Sequence, residues 1–96
     1  MTTTTKQSKA WRALFLAIFE ENGYFDNLRQ FAKDHNFTSE TIADMLYEAY
    51  FHDCPDGMGP YYFMDSMEEH YEDMKDSCED IYDMVNWLWD HQVWKE

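Results

Sequence analysis

The chain has 96 residues, enough for one domain that buries a core without metal or disulfide staples. Apolar residues make up 45% and aromatics 19%, which excludes a disordered acidic tail. The formal charge is −13, which repels nucleic acid and anionic lipid and attracts strongly basic proteins.

The sequence reads as a single acidic helical domain over 1–96, with 1–6, including the run "TTTT", as a frayed tail. In the next stretch Trp11, Leu14, Phe15, Ile18 and Phe19 follow the i, i+3, i+4, i+7, i+8 spacing of a helix with one inward stripe. Lys6, Lys9 and Arg12 precede "ALFLAIF", but seven apolar residues followed by "EENG" make a short helix face rather than a cleaved leader. Gly23 after Asn22 is a helix stop.

A second helix is predicted from about Asp26 to His35, with Leu28, Phe31 and Ala32 inward. A third begins at Thr38, where Phe37 and Ile42 occupy the two positions of a hydrophobic staple. It carries Ile42, Met45, Leu46, Ala49 and Tyr50 on its inner face. Together they read like a helix-turn-helix: Ala32 stands four before Asn36, and Phe37, Thr38, Thr41, Ile42 and Leu46 follow at that motif's spacing. The second helix of the pair carries Glu40, Asp44 and Glu48 and no basic residue, so it lacks the charge that DNA readers place against phosphates.

"HDCPDGMGPYY" is the one Pro- and Gly-rich stretch and reads as the long loop. Beyond it Met67, Tyr71, Met74, Cys78, Ile81, Val85 and Leu88 are spaced 4, 3, 4, 3, 4, 3. That is an unbroken heptad seam. No Gly or Pro interrupts 61–96, so one long helix, straight or kinked, is expected there. The fold class is all-α, with about four helices, a helix-turn-helix-like pair and a long acidic C-terminal helix.

The charge is concentrated on that last segment. Residues 1–33 carry five basic and three acidic groups; residues 34–96 carry two basic and seventeen acidic ones. Within 65–83 stand Asp65, Glu68, Glu69, Glu72, Asp73, Asp76, Glu79, Asp80 and Asp83 against Lys75 alone. Glu69, Asp73, Asp76, Asp80 and Asp83 repeat with the seam's period on the opposite face, and Asp90 extends the line. An ordinary solvated face mixes signs, because opposite charges four apart stabilise a helix and like charges destabilise it. Glu40, Asp44 and Glu48 form a possible second acidic face, and Trp87, Trp89 and Trp94 a possible homodimer contact.

Catalytic and metal readings are poor. His35, His52, His70 and His91 are scattered, "HDC" lacks a second spaced pair for zinc, and "DCPDG" has too few acids for calcium. Cys54 and Cys78 are too few for a disulfide framework and fit a reducing cytoplasm. No run approaches the 18 apolar residues of a membrane span. Neither an enzyme, a metal site nor a cofactor is expected.

In these properties the acidic stretch 65–83, with Glu40, Asp44 and Glu48, resembles the small DNA-mimic inhibitors of phages and mobile elements. These anti-restriction and anti-CRISPR proteins present carboxylates where DNA presents phosphates. The resemblance implies a host-cytoplasmic inhibitor that binds no nucleic acid itself. It implies occupation of the groove of a basic DNA- or RNA-binding protein or complex, such as a restriction enzyme, CRISPR effector, nuclease or nucleoid protein. The alternative is an acidic helical adaptor that uses its apolar seam or tryptophans; a third reading is a degenerate helix-turn-helix regulator.

Overall fold

The computed structural model describes residues 3–53 and 59–91. Every element among them is helical: α1 (Thr3–Glu21), α2 (Asp26–Asp34), α3 (Ser39–Asp53), α4 (Pro60–Glu69), α5 (Tyr71–Met74) and α6 (Ile81–Asp90). Short 3-10 turns at Gly23–Phe25 and Lys75–Ser77 join them. The all-α expectation holds, but the described residues form six helices rather than about four.

α1 packs along α3, and α3 packs on α6. Trp11, Phe15, Tyr50 and Phe63 build an aromatic core where α1, α3 and α4 meet. Ring centroids there stand 5.6 Å apart for Phe15–Tyr50 and 5.7 Å for Tyr50–Phe63. Leu14, expected inward, is 42% exposed. Phe15, Ile18 and Phe19 claim the buried arc, and Leu14 lies at its rim, since adjacent helix residues point about 100° apart.

The two helices predicted on either side of Asn36 are present as α2 and α3. Asn36 adopts a left-handed backbone with φ 61°, a conformation asparagine tolerates better than most residues. There the Phe37 N–H reaches back to the Ala32 carbonyl at 2.7 Å. The Thr38 hydroxyl then accepts from the Thr41 N–H at 3.1 Å, capping α3. The predicted loop is shorter than expected, because α3 runs to Asp53 and α4 starts at Pro60. Its middle, 54–58 with Cys54, lies outside the described residues.

The long C-terminal helix is not formed. A straight helix over the described residues 61–91 would span about 46 Å, whereas the longest dimension is 38 Å. The chain kinks at His70, where φ is −102° and ψ is 11°. It tightens through Lys75–Ser77 and becomes extended at Cys78 and Asp80. Asp80 starts a new helix: its carboxylate accepts from the Asp83 N–H at 2.9 Å, and Asp83 accepts in return from the Glu79 N–H at 2.9 Å. That cap, a variant of the capping box whose return bond reaches the residue before the cap, competes with helix continuation. The last described helix is therefore α6, which carries only Asp83 and Asp90 as acids and is not the acidic element expected.

The seam is nonetheless buried from end to end. Met67, Met74, Ile81, Val85 and Leu88 are inaccessible, and Tyr71 and Cys78 nearly so. The heptad pattern reported which side chains face the core, and a turn plus an extended step meets that requirement as well as a continuous helix does.

Candidate functional site: an acidic surface

The nine carboxylates of 65–83 divide into five exposed acids and four half-buried ones. Glu69, Glu72, Asp73, Asp76 and Glu79 are exposed. The first four recur at i, i+3, i+4, i+7 and so form one arc along α4, α5 and the following 3-10 turn. Lys75 is the one cation in this stretch, and its Nζ pairs with Glu72 at 3.2 Å. The pair, above all its hydrogen bond, raises the Lys75 pKa.

Asp80 and Asp83 are half-buried and spend their oxygens on the cap of α6. Glu68 is also half-buried. It turns away from the arc and accepts from the Leu28 N–H at 2.9 Å, closing the N-terminus of α2 from forty residues away. Burial pushes its carboxyl pKa up, with the charge of Asp26 adding to the effect and the hydrogen bonds from Leu28 and Asn27 opposing it. The line Glu69, Asp73, Asp76, Asp80, Asp83, expected as one solvent ridge, therefore ends at Asp76. Asp65 is half-buried and stands beside the Tyr24 phenol, whose pKa it raises.

Asp34 is an addition that periodicity had no way to find. It comes from the end of α2 and lines, with Glu72, Lys75, Asp76 and Tyr71, a groove of about 410 Å³ between α2 and α5. Acids thus stand on both walls of that groove. Both Asp34 and Glu72 help raise the Tyr71 phenol pKa, after burial as the first cause.

The second acidic face is partly neutralised within the molecule. Arg12 of α1 pairs through Nε with Asp44 and through Nη2 with Glu48 at 2.9 Å, while its guanidinium lies 4.5 Å from the Tyr47 ring centroid. His52 approaches Glu48 at 3.2 Å. Glu40 stays exposed. Arg29 is likewise turned inward: it donates to the carbonyls of Phe19 at 3.0 Å and Asn22 at 2.6 Å, closing the end of α1.

Trp87 is half-buried and stacks on His91 at 3.8 Å, Trp89 is 48% exposed, and Trp94 lies outside the described residues. Cys78 is buried, and burial, with the nearby charges of Asp83 and Asp80, pushes its thiol up to about 11. It stays protonated at neutral pH, unlike a reactive thiolate. Among the described residues, no three His, Cys, Asp or Glu side chains cluster so as to hold a metal ion. No helix among them is long and apolar enough to cross a membrane. No protein-family model matches the chain, and no curated protein or solved structure is detectably similar to it.

Proposed function

We propose that the protein is a DNA-mimic inhibitor that occupies the basic groove of a nucleic-acid-binding protein, in the manner of phage or mobile-element counter-defence factors. Restriction enzymes, CRISPR effectors, nucleases and nucleoid proteins are the candidate targets. The observation that carries the reading is how the charges are sorted. Arg12 and Arg29 are committed to contacts that hold helices together. Glu69, Glu72, Asp73, Asp76 and Glu79 are left in solvent with one lysine among them.

Such a surface suits competition for phosphate-binding side chains. Those side chains set affinity and register without reading sequence, so carboxylates on a folded frame can satisfy them. Anchoring the acids on helices lowers the ordering cost of binding. The adaptor reading draws instead on Trp89, exposed on α6.

The test is a capture experiment from bacterial lysate at low salt, with elution by duplex DNA. It is run with wild type and with the variant Glu69→Gln, Glu72→Gln, Asp73→Asn, Asp76→Asn. Those four acids are exposed, so the variant should fold and capture nothing that DNA elutes. If it retains such a partner, the mimic reading fails; if the partner is lost only on Trp89→Ala, the adaptor reading takes its place.

A further inference from the structure

Three tyrosines sit on the surface beside the acids. Tyr24 is 61% exposed, Tyr61 57% and Tyr62 53%. Their placement follows from α4: Phe63, Met64 and Met67 take its inward side, which turns Tyr61, Tyr62, Asp65 and Glu69 outward. Tyr24 comes from the 3-10 turn before α2.

Two of these rings are placed beside polar partners rather than buried. The Tyr24 phenol stands beside Asp65, whose accepting oxygens and negative charge raise the phenol pKa. The Tyr61 hydroxyl accepts from Asn22 Nδ2 at 3.1 Å, and its ring lies 6.2 Å from that of Phe25. Glu21 stands nearby, across a hollow of about 380 Å³ that Tyr61 also lines. The surface thus offers fixed aromatic faces next to carboxylates, and no basic side chain lines that hollow.

The cation this combination fits best is arginine. A guanidinium lies flat on an aromatic face while its edge donates two parallel hydrogen bonds to a carboxylate. A lysine ammonium is more strongly hydrated and is a point charge without that fork. We propose that Tyr24, Tyr61 and Tyr62, with Asp65 and Glu69, form the part of the interface that receives arginine side chains of the basic partner. The protein then prefers arginine-rich grooves to lysine-rich ones. This inference rests on the reading of the protein as the occupant of a basic groove.

The experiment uses labelled nona-arginine and nona-lysine peptides as probes of equal charge, with anisotropy titrations at 50 mM NaCl. Wild type should bind the arginine peptide about fivefold more tightly, the size that two or three exposed cation–π contacts supply. The variant Tyr24→Leu, Tyr61→Leu, Tyr62→Leu should bind both peptides equally, at the wild-type affinity for nona-lysine. Because Tyr61 also packs on Phe25, Tyr62→Leu alone serves as the milder variant. It should reduce the preference about twofold with an unchanged circular dichroism spectrum. Equal binding of the two peptides by wild type, or a preference that survives the triple variant, overturns the arginine assignment and leaves the acidic surface standing. Binding of neither peptide overturns both.

Discussion

Glu68 and Glu69 are adjacent acids with opposite expected roles, and replacing each with alanine separates them. Glu68→Ala removes the acceptor for the Leu28 N–H at the start of α2. Loss of a helix N-terminal acceptor costs about 1–2 kcal/mol. The half-exposure of Glu68 places it toward the lower end of that range. For a domain of this size each kcal/mol corresponds to roughly 4–8 °C in melting temperature, so a fall of about 5–12 °C is expected by differential scanning calorimetry. Glu69→Ala removes an exposed carboxylate from a like-charged arc and should change stability by no more than about 0.5 kcal/mol. Glu68→Gln keeps an oxygen for the Leu28 N–H and isolates the charge. The wild-type carboxyl has a raised folded-state pKa, chiefly from burial. Its contribution is therefore fullest below the ordinary carboxylate range and is lost as pH rises through the folded-state value. Wild type should accordingly gain on Glu68→Gln as pH falls from 7 to 4. Equal melting temperatures for Glu68→Ala and Glu69→Ala would refute the capping role, and a wild-type advantage over Glu68→Gln that shrinks on acidification would refute burial as the dominant influence on the Glu68 carboxyl.

Asp80→Ala should lower stability by about 1 kcal/mol through loss of the α6 cap, while Asp80→Asn should restore most of it; thermal melts followed by circular dichroism distinguish the two. Leu88→Ala, at an inaccessible seam position, should cost about 2–5 kcal/mol, and denaturant titration that shows less than about 1 kcal/mol would mean that α6 is not docked on the core. In a Cys54→Ser background, Cys78 should react with iodoacetamide at pH 8 far more slowly than in denaturant, as a buried thiol with a pKa pushed up to about 11 requires; mass spectrometry reads the adduct. Salt should raise the melting temperature, because the Debye length shrinks from about 10 Å at 0.1 M to about 3 Å at 1 M, and should weaken capture of a basic partner; affinity indifferent to salt would remove the acidic arc from the interface.

The core was legible because burial leaves a periodic trace. The seam from Met67 to Leu88 was read correctly residue by residue, and so was the pair of helices around Asn36. Helix continuity was not, because the absence of Gly and Pro does not make a helix. The stretch from Glu79 to Asp83 contained the signal, an Asp followed three residues later by an acid and then apolar residues. It was counted as surface charge when its first duty is to cap α6. For the candidate site, the exposed arc from Glu69 to Asp76 followed from spacing alone. The withdrawal of Glu68 to α2, the pairing of Arg12 with Asp44 and Glu48, and the arrival of Asp34 opposite Glu72 all join segments distant in sequence. No single-helix pattern encodes such contacts.

Asn22 ties the end of α1 to the outer surface. Its N–H bonds back to the Ile18 carbonyl at 3.2 Å, its own carbonyl accepts from Arg29, and its side chain accepts from the Tyr24 N–H and donates to Tyr61. Fraying of the last turn of α1 would release both tyrosines at once. The Tyr24 backbone and the Tyr61 hydroxyl are therefore coupled through the helix end. Amide protons of Asn22 and Tyr24 should exchange with deuterium through one shared opening event, and a ligand seated on the tyrosines should slow both by the same factor.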